Sequence, residues 1–256
     1  MILELIYNVL FIEIIMLAAW VCYLYSNNPG VIDLFWAPTL LAMAILQTFM
    51  SPKLNFSMVF MMILCGVWAL RLSGFLFVTR VIKGYKEKRY RQLSHKWKNE
   101  KRGFLINFLF QGVLIFIISI PFYLAVIQPS NWGLFKTIVA LFILLAIFFQ
   151  TQADWTLYQF AKVPKNKLSV CNQGWWYYSR HPNYFFEICI WLGFALLAFY
   201  NGWSILSLLS PLTVIWITYF ITGPITEERS ILKRGDEFKQ YQAETSYMIP
   251  WFKRGA

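Results

Sequence analysis

The chain has 256 residues, of which 59% are hydrophobic and 14% are charged, and its formal net charge is +11. This composition excludes an ordinary soluble domain, in which about a quarter of the residues are charged. The excess of Lys and Arg does not indicate a nucleic-acid partner, because the basic residues cluster in three short segments between long apolar runs.

Seven apolar runs are each long enough to cross a bilayer as a helix, which takes about 20 residues. The runs are continuous rather than alternating, so they indicate helices and not the strands of a barrel. We therefore expect an all-α, multi-pass membrane protein that forms a single domain over residues 1–256. The predicted spans are residues 2–25, 31–50, 54–79, 104–127, 134–153, 184–200 and 203–222.

The basic residues predict the orientation of these spans. Residues 80–102, 154–183 and 223–256 carry 20 of the 23 Lys and Arg residues. With seven spans, all three segments fall on the same side of the membrane, which is the cytoplasmic side by the positive-inside rule. We expect the N-terminus outside, the C-terminus in the cytoplasm, and the stretch Lys83–Arg102 at anionic lipid headgroups.

Charged residues within the predicted spans are candidates for function, because an unpaired charge in the membrane is strongly disfavoured. Glu13 is nearest the middle of its span, where a buried carboxylic acid is favoured in its neutral form. Asp33 begins the second span and could equally be a helix cap. Arg71 could extend to the cytoplasmic surface together with Arg80.

The segment from Gly174 to Glu187 contains the densest group of polar residues next to a span. Its Pro182 predicts a helix start, which places Asn183 and Glu187 on one helix face, with Arg180 and His181 in the preceding turn. An arginine beside a helix N-terminus suits a phosphate group. The aromatic run 175–178 could stack a flat ring or form an interfacial belt. The four cysteines are scattered, and we expect no metal site.

Residues 178–187 (YSRHPNYFFE), followed by Trp191-Leu192-Gly193, resemble the C-terminal segment of the steroid 5-alpha-reductase superfamily, in its bacterial branch DUF1295. The resemblance extends to residues 33–36 (DLFW), 68–73 (WALRLS), 152–158 (QADWTLY) and 223–250. It departs at Phe186, where these relatives usually carry glycine, so that a bulky ring would narrow the approach to the helix start. The resemblance implies a multi-pass protein of the bacterial inner membrane.

The resemblance also implies that NADPH binds on the cytoplasmic side, within residues 134–256, through Asp154, Asn183 and Glu187. Residues 1–127 would then form the chamber for a lipid-soluble substrate. Arg180, Arg71, Arg80 or Lys162 would meet the cofactor's phosphates, since Tyr158 and Ala161 are not basic. The expected cofactor contacts are Arg71, Arg80, Asp154, Tyr158, Arg180, His181, Asn183, Tyr184, Glu187, Glu228 and Tyr241.

The activity that this resemblance implies is NADPH-dependent reduction of a carbon–carbon double bond conjugated to a carbonyl in a steroid, isoprenoid or acyl substrate. A protonated Glu13 or Asp33 could polarise the carbonyl oxygen as negative charge develops on it. One alternative is an S-adenosylmethionine-dependent methyltransferase of the isoprenylcysteine carboxyl type, although the pattern Asn183-Tyr184-x-x-Glu187 favours a reductase. Another is a non-enzymatic lipid-binding or transport protein, although no matching halves are found.

Overall fold

The computed structural model describes residues 2–51, 54–81, 97–127, 131–199 and 202–254. Within these ranges the chain is helical and has no β-strand, which confirms the all-α prediction. An isolated bridge joins Ser179 to Ser246. Most of the predicted headgroup segment Lys83–Arg102 lies outside the described residues.

Five long helices form the first part of the chain. A 3₁₀ turn, Pro29–Val31, precedes the second helix, and a π-helical turn, Phe77–Val81, continues the third. The five helices are α1 (Ile2–Ser26), α2 (Ile32–Met50), α3 (Phe56–Leu76), α4 (Glu100–Ile127) and α5 (Leu134–Lys162).

Shorter helices follow. A 3₁₀ turn, Gly202–Leu208, precedes the third of them, and a π-helical turn, Ile217–Thr222, joins it to the fourth. They are α6 (Trp175–Tyr178), α7 (Pro182–Ala198), α8 (Leu209–Trp216), α9 (Gly223–Arg234) and α10 (Asp236–Glu244).

Six helical segments within the described residues are long and apolar enough to cross a membrane, as expected for a multi-pass membrane protein. Helix α7 is also apolar but has only 17 residues, or roughly 25 Å, against a hydrocarbon core of about 30 Å. The seventh span and the orientation remain predictions. The six segments are Leu3–Ser26, Pro29–Met50, Phe56–Arg80, Glu100–Ile127, Leu134–Lys162 and Ser204–Arg234.

Polar residues and prolines set several helix ends. The side chain of Asn55 accepts a hydrogen bond from the Met58 amide at 3.0 Å and begins α3, as preferred at an N-cap. Pro182 occupies the first position of α7, where its missing N–H leaves no unmade bond. Helix α5 passes its predicted end at residue 153 and reaches Lys162, because the polar residues after 153 include no Pro or Gly until Pro164.

The chain divides into two compact units. The first contains Met1–Gly133 with Leu197–Ser210, and packs α1 against α4 and α2 against α3. The second contains Leu134–Leu196 with Pro211–Ala256. In the second unit Gly193 of α7 lies directly against Ile143 of α5, and any side chain at Gly193 would overlap Ile143. This close approach holds α5 and α7 together beside the polar groups of the candidate site.

Candidate functional site

Four polar side chains connect α5 to α7 and are called here the α5–α7 ladder: Gln150, Asp154, Asn183 and Glu187. Asn183 Nδ2 donates to Asp154 Oδ1 at 3.2 Å. Gln150 Nε2 donates to Glu187 Oε2 at 2.5 Å and to the Asn183 carbonyl at 3.2 Å. Each helix contributes two residues four positions apart, which lie on one helix face. The structure therefore brings together the three residues expected to hold the cofactor.

One buried oxygen of the ladder, Asn183 Oδ1, receives no hydrogen bond in the described structure. Glu187 Oε1 receives a hydrogen bond from Trp191 Nε1 at 2.8 Å, so both oxygens of this carboxylate have donors. By contrast, Asn183 Oδ1 is buried without a hydrogen-bond partner in the described structure. Since an unpaired buried acceptor costs about 1–3 kcal/mol, a ligand N–H or O–H placed here would be stabilised. The ladder thus has an unfilled hydrogen-bonding position.

Sequence reasoning missed Gln150 and Trp191, both of which bond Glu187. A signal for them existed, because Gln150 precedes Asp154 by four residues and Trp191 follows Glu187 by four residues. Each therefore shares a helix face with a residue that the sequence did single out.

A second group of side chains surrounds Arg180 and is called here the Arg180 clasp: Arg180, His181, Glu227, Gln242 and Tyr247. Arg180 Nε donates to Glu227 Oε1 at 2.7 Å. Arg180 Nη1 donates to the carbonyls of Gln242 and Thr245 at 2.8 and 2.7 Å. The guanidinium therefore binds the protein's own C-terminal segment, and Nη2 is its most weakly held nitrogen, at 3.4 Å from Glu227 Oε2.

Glu227 is the acceptor at the centre of the clasp. Besides Arg180, its carboxylate faces His181 Nε2 at 3.1 Å and accepts from Gln242 Nε2 at 2.6 Å. Glu228, which was expected to contact the cofactor, is exposed and makes no hydrogen bond to this cluster in the described structure. Glu227 and Glu228 are adjacent in the sequence, and the rotation of α9 about its axis decides which of the two carboxylates faces Arg180.

Aromatic rings pack closely around the clasp. The rings of His181 and Tyr184 are stacked, with centroids 5.1 Å apart and an interplanar angle of 1°. Tyr247 lies 4.9 Å from the His181 ring and 5.2 Å from the Arg180 guanidinium carbon. Burial and the Glu227 carboxylate raise the pKa of Tyr247 to about 12. Burial likewise raises the pKa of Tyr241, whose hydroxyl contacts the carbonyls of Trp176 and Ser179.

Phe186 fills a buried junction rather than an opening. Its ring is 6% exposed and lies 5.5 Å from Phe149 of α5 and 5.0 Å from Trp175 of α6, measured between centroids. The bulky ring therefore joins three helices and does not stand in front of the α7 start. Tyr158, one turn beyond Asp154, packs beneath the Lys162 ammonium at 4.4 Å.

The first unit contains the two predicted catalytic acids in different surroundings. Asp33 forms an ion pair with Arg80, and their side chains are 16% and 22% exposed. Glu13 lies so close to Gly112 of α4 that a Cβ added to this glycine would stand 2.6 Å from Glu13 Oε1. Glu13 Oε2 is buried without a hydrogen-bond partner among the described residues. Arg71, also in this unit, lies with its guanidinium 5.9 Å from the Phe75 ring.

The family model described as "Protein of unknown function (DUF1295)" matches residues 19–245. The chain belongs to the DUF1295 family. Searches of the curated proteins and of the solved structures found no significant match. The match to the DUF1295 family includes the whole α5–α7 ladder and Asp33, whereas Glu13 and Tyr247 lie outside it.

Proposed function

We propose that this DUF1295 protein is a membrane-embedded, NADPH-dependent reductase of a carbon–carbon double bond conjugated to a carbonyl in a lipid-soluble substrate. The observation that supports this most is the convergence of Asp154, Asn183 and Glu187 in one ladder. Asp154 lies 20 residues after the first residue of α5, or roughly 30 Å along the helix. That depth suits a polar cofactor that stays outside the hydrocarbon.

The chemistry of the ladder fits a dinucleotide. The unpaired Asn183 Oδ1 can accept a hydrogen bond from a carboxamide or a ribose hydroxyl, and the neighbouring Asp154 carboxylate can accept others. Arg180 Nη2 is held weakly, at 3.4 Å from Glu227 Oε2, and can donate to a phosphate placed beside it without any movement of the planar guanidinium. Nε and Nη1 then keep the contacts that fix the start of α7.

When bound, NADPH would supply the hydride for the double bond, and a hydrogen-bond donor of the protein would stabilise the negative charge that develops on the substrate carbonyl oxygen. Within the first unit, we propose Glu13 as a hydrogen-bond donor to the carbonyl group of the lipid-soluble substrate. Its carboxyl group lies in the middle of α1, against Gly112, with Oε2 unpaired in the described structure. Asp33 is less suited to this role, because its carboxylate is paired with Arg80.

The test is thermal unfolding of the full-length protein in detergent, with and without NADPH. Ligand at 100 times its Kd stabilises by about 2.7 kcal/mol, which corresponds to about 5–10 °C in Tm for a protein of this size. The variant Asn183→Leu removes the unpaired acceptor and also the Nδ2 group that donates to Asp154, so we expect it to abolish the NADPH shift. The loss of this hydrogen bond and the removal of the buried unpaired acceptor act in opposite directions on stability, so the ligand-free Tm should change little.

Glu228→Gln is the matched control, because this exposed carboxylate lies outside the ladder and the clasp, and it should keep the full NADPH shift. A shift with S-adenosylmethionine in place of NADPH would identify a methyltransferase. No shift with either compound, or a full NADPH shift in Asn183→Leu, would contradict the proposed site.

A further inference from the structure

A cleft of about 470 Å³ opens in the second unit, on the side of α5 that faces away from the ladder. Successive residues of an α-helix are separated by about 100° around the helix axis, so Gln152 and Asp154 are separated by about 200° and project from nearly opposite sides of α5. The cleft and the ladder therefore occupy opposite faces of α5, and a ligand in the cleft is distinct from one at the ladder. The cleft is lined by Gln152, Trp155, Thr156, Gly174, Trp175 and Tyr178.

The position of the cleft along α5 corresponds to the boundary between lipid tails and headgroups. Gln152 lies 18 residues after Leu134, or roughly 27 Å along the helix, against a hydrocarbon core of about 30 Å. Trp155 and Tyr178 are 52% and 37% exposed at this level. Partly exposed Trp and Tyr side chains are enriched at the membrane–water interface. A molecule in the cleft would thus meet the protein at headgroup depth.

The interior of the cleft combines aromatic walls with hydrogen-bond donors. Trp175 Nε1 donates to Gln152 Oε1 at 3.3 Å, which leaves the Gln152 Nε2 hydrogens for another acceptor. The hydroxyl of Thr156 lies on the same side of α5 and can also donate. Gly174 has a φ of 55°, which strains the backbone of any residue with a side chain, and it lies beside Thr156 in the wall of the cleft.

The segment that follows the cleft residues of α5 in the sequence is basic. Between Asp154 and Glu187 there is no Asp or Glu, whereas Lys162, Lys165 and Lys167 are present and exposed. Lys162 Nζ lies 6.0 Å from the ring centroid of Trp155, one wall of the cleft. Anionic headgroups attract basic residues at the membrane surface. Lys162 therefore places a positive charge beside one wall of the cleft, which favours a negatively charged ligand there.

We propose that this cleft is a specific site for the headgroup of an anionic phospholipid in the leaflet at the C-terminal end of α5. The phosphate accepts a hydrogen bond from Thr156, and Gln152, one turn deeper along α5, donates to an ester oxygen of the glycerol region. Trp155 and Tyr178 form the aromatic walls, and Lys162 supplies the opposite charge. This site is independent of the proposed cofactor site, which lies on the other face of α5.

Native mass spectrometry of the full-length protein in detergent tests the site, with phosphatidylglycerol and phosphatidylcholine of identical acyl chains as probes. We expect the wild type to bind phosphatidylglycerol about tenfold more tightly. Lys162→Ala should weaken phosphatidylglycerol binding about fivefold, as expected for one lysine near an anionic surface. Trp155→Ala should weaken it about tenfold, and Trp155→Phe, which keeps an aromatic wall, much less.

Trp251→Ala is the matched control, because Trp251 is 67% exposed but does not line the cleft, and its loss should leave lipid binding unchanged. Equal binding of the two lipids would overturn the proposal, as would equal effects of Trp155→Ala and Trp251→Ala. Displacement of the lipid by equimolar inorganic phosphate would also overturn it, because the site would then recognise a free anion. An unchanged NADPH shift in Trp155→Ala would show that the two sites are separate.

Discussion

Replacing Glu227 with alanine is the most direct test of the Arg180 clasp. The change removes the carboxylate that pairs with Arg180 at 2.7 Å and faces His181 at 3.1 Å. The side chains of Arg180 and Glu227 are only 12% and 11% exposed, so water cannot readily replace the lost partner. The variant therefore leaves a buried guanidinium without its counter-charge.

The expected size of the effect follows from these contacts. Removing one partner of a buried ion pair costs about 3–5 kcal/mol. Arg180 retains the carbonyls of Gln242 and Thr245, which places the loss at the lower end, about 3 kcal/mol. At about 2–4 °C per kcal/mol, we expect Tm to fall by about 6–12 °C. Scanning fluorimetry in detergent at neutral pH measures this fall.

Glu228→Ala provides an internal comparison, because this neighbouring carboxylate is exposed and its removal should change stability by no more than about 0.5 kcal/mol. The double variant Arg180→Met with Glu227→Leu should be less destabilised than Glu227→Ala, since it leaves no buried charge unpaired. If Glu227→Ala and Glu228→Ala lower Tm equally, the clasp does not stabilise the protein and the reasoning fails.

Two further predictions concern Glu13 and Tyr247. Gly112→Val should cost about 1–3 kcal/mol by overpacking against Glu13 Oε1, and Glu13→Ala should relieve that cost in a double-mutant cycle, whereas strictly additive effects would count against the contact. Because the folded pKa of Tyr247 is about 12 and its ordinary value is 10.0, the folded chain keeps a proton that the unfolded chain has released between these values. The stability that Tyr247 contributes is therefore complete below pH 10 and is lost as the pH rises towards 12. Tyr247→Phe should make the loss of folding stability with rising pH less steep. Tyr25→Phe, at an 89% exposed site, should leave that slope unchanged.

Much of the fold could be predicted because hydropathy reports which residues can lie in hydrocarbon. The predicted runs 31–50 and 104–127 end within a few residues of α2 and α4. The run 134–153 fell short of Lys162, because a helix continues past the apolar region until Pro, Gly or a cap ends it. Pro164 and Gly235, rather than a change in hydropathy, stop α5 and α9.

The candidate site was predictable where it depends on a single helix. The four-residue spacing of Asn183 and Glu187 predicts that they lie on one face of α7, and in the structure both contact α5 from that face. The pairing of Glu187 with Gln150 depends on the register between α5 and α7, which no local pattern encodes. For the same reason the sequence could not tell whether Arg180 faces a ligand or the chain's own Glu227.

The clasp and the ladder are coupled through the start of α7. Arg180 and His181 are held by Glu227, and Asn183 follows His181 by two residues. The clasp therefore fixes the rotation of α7 about its axis, and with it the direction in which the Asn183 amide points. Leaving Asn183 Oδ1 buried and unpaired costs about 1–3 kcal/mol, which on its own favours rotation of the helix start towards water. Such a rotation would separate Arg180 from Glu227, and breaking this buried pair costs about 3 kcal/mol, which opposes the rotation. Asn183 Oδ1 thus stays in place although it accepts no hydrogen bond in the described structure, because Asn183 is bound to Asp154 and Gln150 and the clasp holds the start of α7. This is expected of a site organised before its ligand arrives.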